Sequence, residues 1–300
     1  MSERGIAVVI VVYHPSEADI LQIEKLDAAY RGVLVDNTPN GRSRAADMSL
    51  ANLHYIYNGN HNGIAGAQNR ALEWLLRQDG IERVVFLDQD SRVDTSYPRL
   101  ISNEFGRISK FYHLALLGPT TYHEQDGTEY KSVIHTKPKA QQGFIARRDV
   151  ISSGSCCSIG VLQELGLFDE KLFIDYVDFE LCWRAESQGW LCGITTRACI
   201  RHQVGCREIK LGSYRVIISA PYRYYYQYRN YLWLCRRHYV PLQWKVATSI
   251  KHLSRLFYLP IVLKHGTKYL SFMLKGIVSG LTRKNEYQQN DKSKCDSCFI

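Results

Sequence analysis

An α/β fold, with one large domain and a smaller appendage, is predicted by three features of this 300-residue chain. Two continuous apolar runs, Ile6-Ala7-Val8-Val9-Ile10-Val11-Val12 and Val33-Leu34-Val35, are of the kind that parallel strands buried on both faces present. With the helical stretch between them they form a βαβ unit of about 30 residues, whose right-handed crossover brings both strand ends to one sheet edge. A third run, Val84-Val85-Phe86-Leu87, stops on Asp88 and Asp90, two carboxylates at i, i+2 on the edge where open α/β sheets bind ligands. Such acids repel unless something positive sits between them, and a divalent cation carrying a diphosphate is the usual answer.

The elements follow in order. Pro15 ends the first strand, and Ser16-Glu17-Ala18-Asp19 supplies capping and dipole-favoured acids for a helix with Ile20, Ile23 and Leu26 on one face. The second strand closes with Asp36-Asn37, which places Tyr13 and Asp36 as neighbours. A third strand, Leu53–Tyr57, runs into a loop with glycines at 59, 63 and 66 and then a helix continued by Ala71-Leu72 and Leu75-Leu76, a strand-loop-helix suited to cradling an anion. Its spacing fits neither the P-loop nor the dinucleotide fingerprint. Beyond Asp90 come a helix, a strand over Leu114–Pro119 and a polar, loop-like stretch from 120 to 147. Ile151 to Ser158 is small and hydroxyl-rich, fit either to line a pocket or to make a turn. A short helix capped by Gly166 leads into Leu172-Phe173-Ile174-Asp175-Tyr176-Val177-Asp178-Phe179-Glu180, read as helical, with Asp175 and Asp178 on one face and Glu180 pointing away. Carboxylates among Phe173, Ile174, Val177, Phe179 and Trp183 are partly desolvated, which raises a carboxyl pKa toward general-base duty. Residues 191 to 200 read as a further strand, followed by His202.

Charge divides the chain unevenly. Residues 201 to 300 hold 18 Lys and Arg against 4 Asp and Glu, whereas residues 1 to 200 hold 20 against 25. A mildly acidic body thus carries a basic C-terminal part suited to an anionic surface. Within it Tyr222 to Trp233 mixes aromatics with arginines, which fits nucleic acid or a membrane interface. The amphipathic basic segments that follow, with Trp244, Lys245, Ile250, Lys251, Leu253, Arg255, Leu256 and Phe257, favour the bilayer. The nine cysteines read as reduced thiols, and the lone pair Cys295 and Cys298 lacks zinc-finger partners. No signal peptide is legible, and Leu253–Leu263, broken by Arg255 and Pro260, is too short to span a membrane.

Taken in order, Tyr13-His14-Pro15, Val35-Asp36-Asn37, Asn62-Gly63-Ile64-Ala65-Gly66-Ala67-Gln68-Asn69, Leu87-Asp88-Gln89-Asp90-Ser91, Ser153-Gly154-Ser155, Phe173-Ile174-Asp175-Tyr176-Val177-Asp178, His202 to Gly205 and Tyr228-Arg229-Asn230 resemble family 2 glycosyltransferases of the GT-A fold. Within that family they resemble the bacterial rhamnosyltransferases that extend surface polysaccharides. The resemblance implies a Rossmann-like mixed sheet over residues 1 to 215, a basic helical membrane-associating region over 216 to 285 and a polar tail over 286 to 300. It implies that Tyr13 and Asp36 hold the nucleotide base, that Asn62 and Gly63 belong to the donor loop, and that Asp88 contacts the nucleotide sugar or the metal shell. Asp90 and His202 would hold Mg²⁺ or Mn²⁺, Asp178 would be the catalytic base, and Asp175, Ser153 and Gly154 would meet the acceptor.

Val177-Asp178 stands where many family 2 enzymes have Glu-Asp, and the Gln-x-x-Arg-Trp of processive enzymes is missing, which points to single additions. The implied activity is inverting transfer of rhamnose from dTDP-L-rhamnose to a polysaccharide or polyprenyl-linked acceptor in O-antigen or capsule synthesis. The enzyme is expected in the cytoplasm, peripheral on an anionic membrane, with no nucleic-acid partner and with its oligomeric state left open. A transferase of another hexose or deoxyhexose is the alternative. A nucleic-acid-binding module would explain the basic tail but not the ordered acids at 36, 88, 90 and 178.

Overall fold

The computed structural model describes residues 5–123, 127–129, 143–202, 207–211 and 214–282. Ile6–Val12 forms β1, every residue of it buried, as a strand covered on both faces must be. Ser16 caps α1 (Glu17–Asp27) in a reciprocal capping box with Asp19, and β2 (Gly32–Asp36) and β3 (Leu53–Tyr57) extend the sheet in parallel. α2 (Gly63–Leu75) crosses back to β4 (Arg83–Asp88), which pairs parallel to β1 on its other side. α3 (Tyr97–Ile108) packs its apolar face of Ile101, Phe105 and Ile108 into the core beneath these strands.

The second half of the sheet departs from the expected pattern. β5 runs over Leu114–His123, longer than the apolar run that announced it, and β6 (Phe144–Ala146) forms within the stretch read as loop. The hydroxyl-rich segment contains β7 (Cys156–Ser158), a three-residue strand at the centre of the sheet, antiparallel to both β4 and β5. Its two buried cysteines lie between sheet neighbours on either side, where small side chains fit. α4 (Ile159–Leu165) ends at Gly166, α5 spans Val177–Ser187, and β8 (Leu191–His202) pairs parallel to β5 and antiparallel to β6. The eight strands stand in the order β3-β2-β1-β4-β7-β5-β8-β6.

The chain divides into two compact units, Met1–His202 and Gln203–Ile300. The described residues of the second hold an antiparallel hairpin, β9 (Arg207–Leu211) with β10 (Tyr214–Ile218), and three helices: α6 (Pro221–Cys235), α7 (Leu242–Val262) and α8 (Gly266–Thr282). Four of the α6 aromatics, expected at a surface, are drawn inward instead: Tyr224, Tyr225, Tyr226 and Tyr228 are buried, while Tyr222, Tyr231 and Trp233 are half-buried. Two of these phenols have their hydroxyls satisfied, since Tyr228 donates to the His252 carbonyl at 2.6 Å and Tyr225 to Ser279 Oγ at 2.9 Å, whereas the Tyr224 hydroxyl is buried without a hydrogen-bond partner among the described residues. Arg229, also buried, lies over the rings of Tyr226 and Trp233 at 4.8 and 4.3 Å and donates to Asn230 Oδ1 at 3.0 Å. A side chain at Gly276 would meet the Tyr225 carbonyl at 2.4 Å, so the glycine lets α8 approach α6 closely. No helix among the described residues is long and apolar enough to cross a membrane. Cys295 and Cys298 lie outside the described residues.

Candidate active site

Strand order reverses between β1 and β4, and at such a switch point the loops leaving the two carboxyl ends part to leave a crevice. Tyr13 follows β1 there, Asp36 ends β2, and Asp88 ends β4. Gln89, a residue the sequence did not mark, ties the two loops together: its Oε1 accepts the Tyr13 N–H at 2.6 Å.

Asp36 is fully buried, and its oxygens accept from the N–H of Thr38 at 3.0 Å, the N–H of Ser43 at 2.7 Å and the Tyr55 hydroxyl at 2.9 Å. Burial pushes its pKa up, but the donors of Ser43 and Thr38 outweigh that and hold it below the ordinary value, so the carboxylate is ionised. Asp36 therefore shapes the loop after β2. Beside that loop an open depression of about 570 Å³ is lined by His14 to Ala18 with Ser43 and Arg44.

Asp178 lies in the first turn of α5, partly buried. Its Oδ2 accepts the Ser152 N–H at 3.2 Å and its Oδ1 the Phe179 N–H at 3.0 Å. Burial raises its pKa to about 6, the Asp88 charge adds to the rise, and the backbone donors oppose it. A carboxyl so poised takes up protons near neutrality while remaining mostly ionised at pH 7. Asp88 in turn belongs to a turn closed by Ser91, whose Oγ accepts the Asp88 N–H at 3.0 Å and lies 3.1 Å from Ser153 Oγ. Ser153 and Gly154 are buried, and Gly154 donates to the Phe86 carbonyl at 2.8 Å, so both are engaged in fastening their loop to β4. The neighbour that reaches Asp178 is Ser152, which sequence reasoning passed over. The coupling runs through a backbone N–H, which every residue but proline carries.

Asp175 is not on the helix. α5 begins at Val177, and Phe173, Asp175 and Tyr176 all hold positive φ of 65° or 66°, a strained conformation for side chains of this size. The helical reading of Asp175 and Asp178 as neighbours on one face is corrected accordingly. Glu180, on the helix, is buried and paired with Arg184 at 3.0 Å; that guanidinium also bonds the carbonyls of Leu165, Gly166 and Leu167.

What holds the strained loop is a clasp from α2. Asn69 accepts the Phe168 N–H and donates to the Phe168 carbonyl, both at 2.9 Å, and it also donates to Glu170 Oε1 at 2.9 Å. Asn62, the N-cap of α2, donates to Glu170 Oε2 at 2.5 Å. Gly63 has φ of 62°, and a side chain there would come within 2.3 Å of the Phe173 carbonyl. Asn62 and Gly63 thus brace the loop that leads to Asp178.

Asp88 and Asp90 offer hard carboxylate oxygens at the end of β4, with Asp90 exposed. Among the described residues no three His, Cys, Asp or Glu side chains gather as a metal cluster. A Mg²⁺-type ion needs only one or two protein carboxylates when substrate phosphates and water complete its shell, so this donor set fits such an ion. β8 runs parallel to β5 and in the same sense as β4, and its last residue, His202, therefore ends toward the same sheet edge. The His202 side chain lies outside the described residues.

No protein-family model matches the chain. It is 28% identical over 292 residues to the dTDP-rhamnosyl transferase RfbF of Shigella flexneri, covering 92% of this chain and 95% of that protein. It is 23% identical over 193 residues to the low-salt glycan biosynthesis hexosyltransferase Agl10 of Haloferax volcanii, covering 60% of this chain and 61% of that one. Among solved structures, S. aureus TarS 1-349 superposes with a TM-score of 0.52 at 13% identity, covering 92% of this chain and 80% of the other, a likeness of fold. The near full-length similarity makes this chain a glycosyltransferase, and with its mixed sheet and switch point it resembles the GT-A enzymes of family 2 and, among them, the bacterial rhamnosyltransferases.

Proposed function

We propose that the chain transfers L-rhamnose from dTDP-L-rhamnose, with inversion, to a hydroxyl of a polyprenyl-linked or polysaccharide acceptor in O-antigen or capsule synthesis. The observation that carries the reaction type is Asp178, a partly buried carboxyl raised to about 6 and facing the Asp88 charge at the sheet's switch point. The nucleotide base lies against the loops of Tyr13 and Asp36, whose neighbouring depression gives it room. Asp175, at the head of α5, lies on the acceptor side, with the Ser153-Gly154 loop holding that side's geometry. As the acceptor oxygen bonds to the anomeric carbon, the bond from that carbon to the diphosphate breaks with its electron pair, and the acceptor proton passes to Asp178. Asp90, with Asp88 and His202, would hold Mg²⁺ or Mn²⁺, which when bound neutralises the departing diphosphate. Full-length similarity to a dTDP-rhamnosyl transferase supports rhamnose over another hexose. The basic composition after residue 200 supports a cytoplasmic enzyme peripheral on an anionic membrane.

The test is a panel of sugar nucleotides with the purified chain, with and without EDTA. Binding and hydrolysis strongest for dTDP-L-rhamnose, lost with EDTA or in Asp90→Ala and restored to the wild type by Mg²⁺ or Mn²⁺, is expected. A preference for another nucleotide sugar moves the reading to a different hexosyltransferase. Undiminished activity in EDTA removes the metal.

A further inference from the structure

With Tyr224, Tyr225, Tyr226 and Tyr228 buried and Tyr222, Tyr231 and Trp233 half-buried, α6 exposes no large apolar side chain, and the apolar surface of the C-terminal unit is found on α7. Leu242, Val246, Ile250, Leu253, Phe257 and Ile261 are all exposed, and Leu242, Phe257 and Ile261 keep 74%, 74% and 84% of their surface in solvent. At 3.6 residues per turn these six fall within about 100° of arc over five turns, a single stripe about 30 Å long. The buried residues of the same helix, Trp244, Thr248, His252 and Leu259, lie on the opposite side. The stripe therefore points straight away from its own unit's core. Leu274, Val278 and Leu281, at i, i+4 and i+7 on α8, are exposed as well. Isolated exposed leucines need no explanation, but a stripe of this length does.

Charge says what covers it. From residue 209 to residue 285 the chain has no Asp or Glu, and α7, α8 and the turn between them carry six Lys and Arg. Lys251, Lys264, Lys268 and Lys275 among them are exposed. An apolar stripe in a wholly acid-free, lysine-bearing surface is complementary to acyl chains beneath anionic headgroups, and a helix of this kind lies in the interface plane rather than across it. A second copy of the same surface would instead bring lysines against lysines.

We propose that α7, with the exposed residues of α8 beside it, is the membrane-binding element: it lies flat in an anionic lipid surface, with the apolar stripe sunk between headgroups and the lysines on phosphates. The proposal rests on the reading of a membrane-surface enzyme above, and replaces the Tyr222 to Trp233 aromatics as the contact.

The full chain is sedimented with vesicles of phosphatidylglycerol mixed into phosphatidylcholine, and with phosphatidylcholine alone. Binding to the anionic vesicles that weakens with salt is expected, falling at least about tenfold in Phe257→Ser/Ile261→Ser and also in Leu242→Ser/Ile250→Ser. Lys251→Gln/Lys268→Gln should weaken binding in proportion to the anionic lipid. Nucleotide-sugar binding without vesicles should be unchanged in all three, which shows that they fold and separates this proposal from the catalytic one. Undiminished vesicle binding by both apolar variants, or equal binding to neutral vesicles, overturns it. So does a wild-type dimer by light scattering that the apolar variants convert to monomer with no vesicle binding in either, since a second copy then covers the stripe.

Discussion

As the proposed base, Asp178 meets two opposed demands, because a proton acceptor must be ionised to work and a partly buried carboxylate beside Asp88 resists ionisation. The compromise near 6 makes transfer depend on pH. The rate is expected to rise through about pH 6 and level off above it, and Asp88→Asn, which removes a charge that raises Asp178, should move that limb to lower pH. Asp178→Asn should cost about 10² to 10⁴ in rate, measured by turnover, while isothermal titration shows nucleotide-sugar affinity within a few-fold of wild type. If Asp175→Asn loses transfer and Asp178→Asn keeps it, the base is Asp175. The same residue also sets a stability trend. Its carboxyl titrates at 3.8 when unperturbed and near 6 when folded, so the unfolded chain releases this proton first as pH rises. The stabilising contribution is complete below 3.8 and lost as pH climbs through about 6. Thermal melts should accordingly show Asp178→Asn gaining on wild type across that window, with no further change above it.

At the scale of elements, the loop from Phe168 to Tyr176 is held by α2 rather than by its own preference. Three residues with positive φ in four positions are kept in place by Asn62 and Asn69 through Glu170. Glu170→Ala leaves two amide donors without their acceptor and should cost about 1 to 3 kcal/mol. Urea unfolding measures that loss, and faster hydrogen exchange at residues 173 to 176 would show that the clasp acts on this loop. None of this was legible in the sequence, since Glu170 lies over 100 positions from Asn62 and Asn69 and the Phe-Ile-Asp-Tyr-Val-Asp run reads as an ordinary helical stretch. β1 and β3 were legible to the residue, because burial on both faces or a β-branched and aromatic run marks a strand without help from its neighbours. β7 was not, because a strand of Cys, Cys and Ser owes its existence to β4 and β5 on either side. Asp88 was readable as the end of a strand, whereas Gln89 meets a distant backbone N–H through its side chain and Ser152 meets Asp178 through its own backbone N–H, and neither pairing leaves a signature in local sequence.

Across the whole molecule, the aromatic and basic C-terminal part shows how composition can be right about character and wrong about place. Tyr224, Tyr225, Tyr226 and Tyr228 pack inward, the hydroxyls of Tyr225 and Tyr228 paired, and the outward face of α7 is aliphatic with exposed lysines on it and on α8. The short strand β7 has a consequence of a different kind, one of sequence in time. β3, β2, β1 and β4 are all in hand once Asp88 has left the ribosome, and until β7 is made they can pair with one another. β5 follows but has no place beside β4 until residues 156 to 158 arrive to stand between them, and β8 can join only through β5. Ser152, at the approach to that keystone, and Asp178, ninety positions behind Asp88, are therefore made after the half of the sheet that ends on Asp36 and Asp88 is already available. The newborn chain holds the half of the sheet that carries Tyr13, Asp36 and Asp88 well before it holds Asp178, and every truncated product ending before Asp178 lacks the carboxyl proposed to take up the proton.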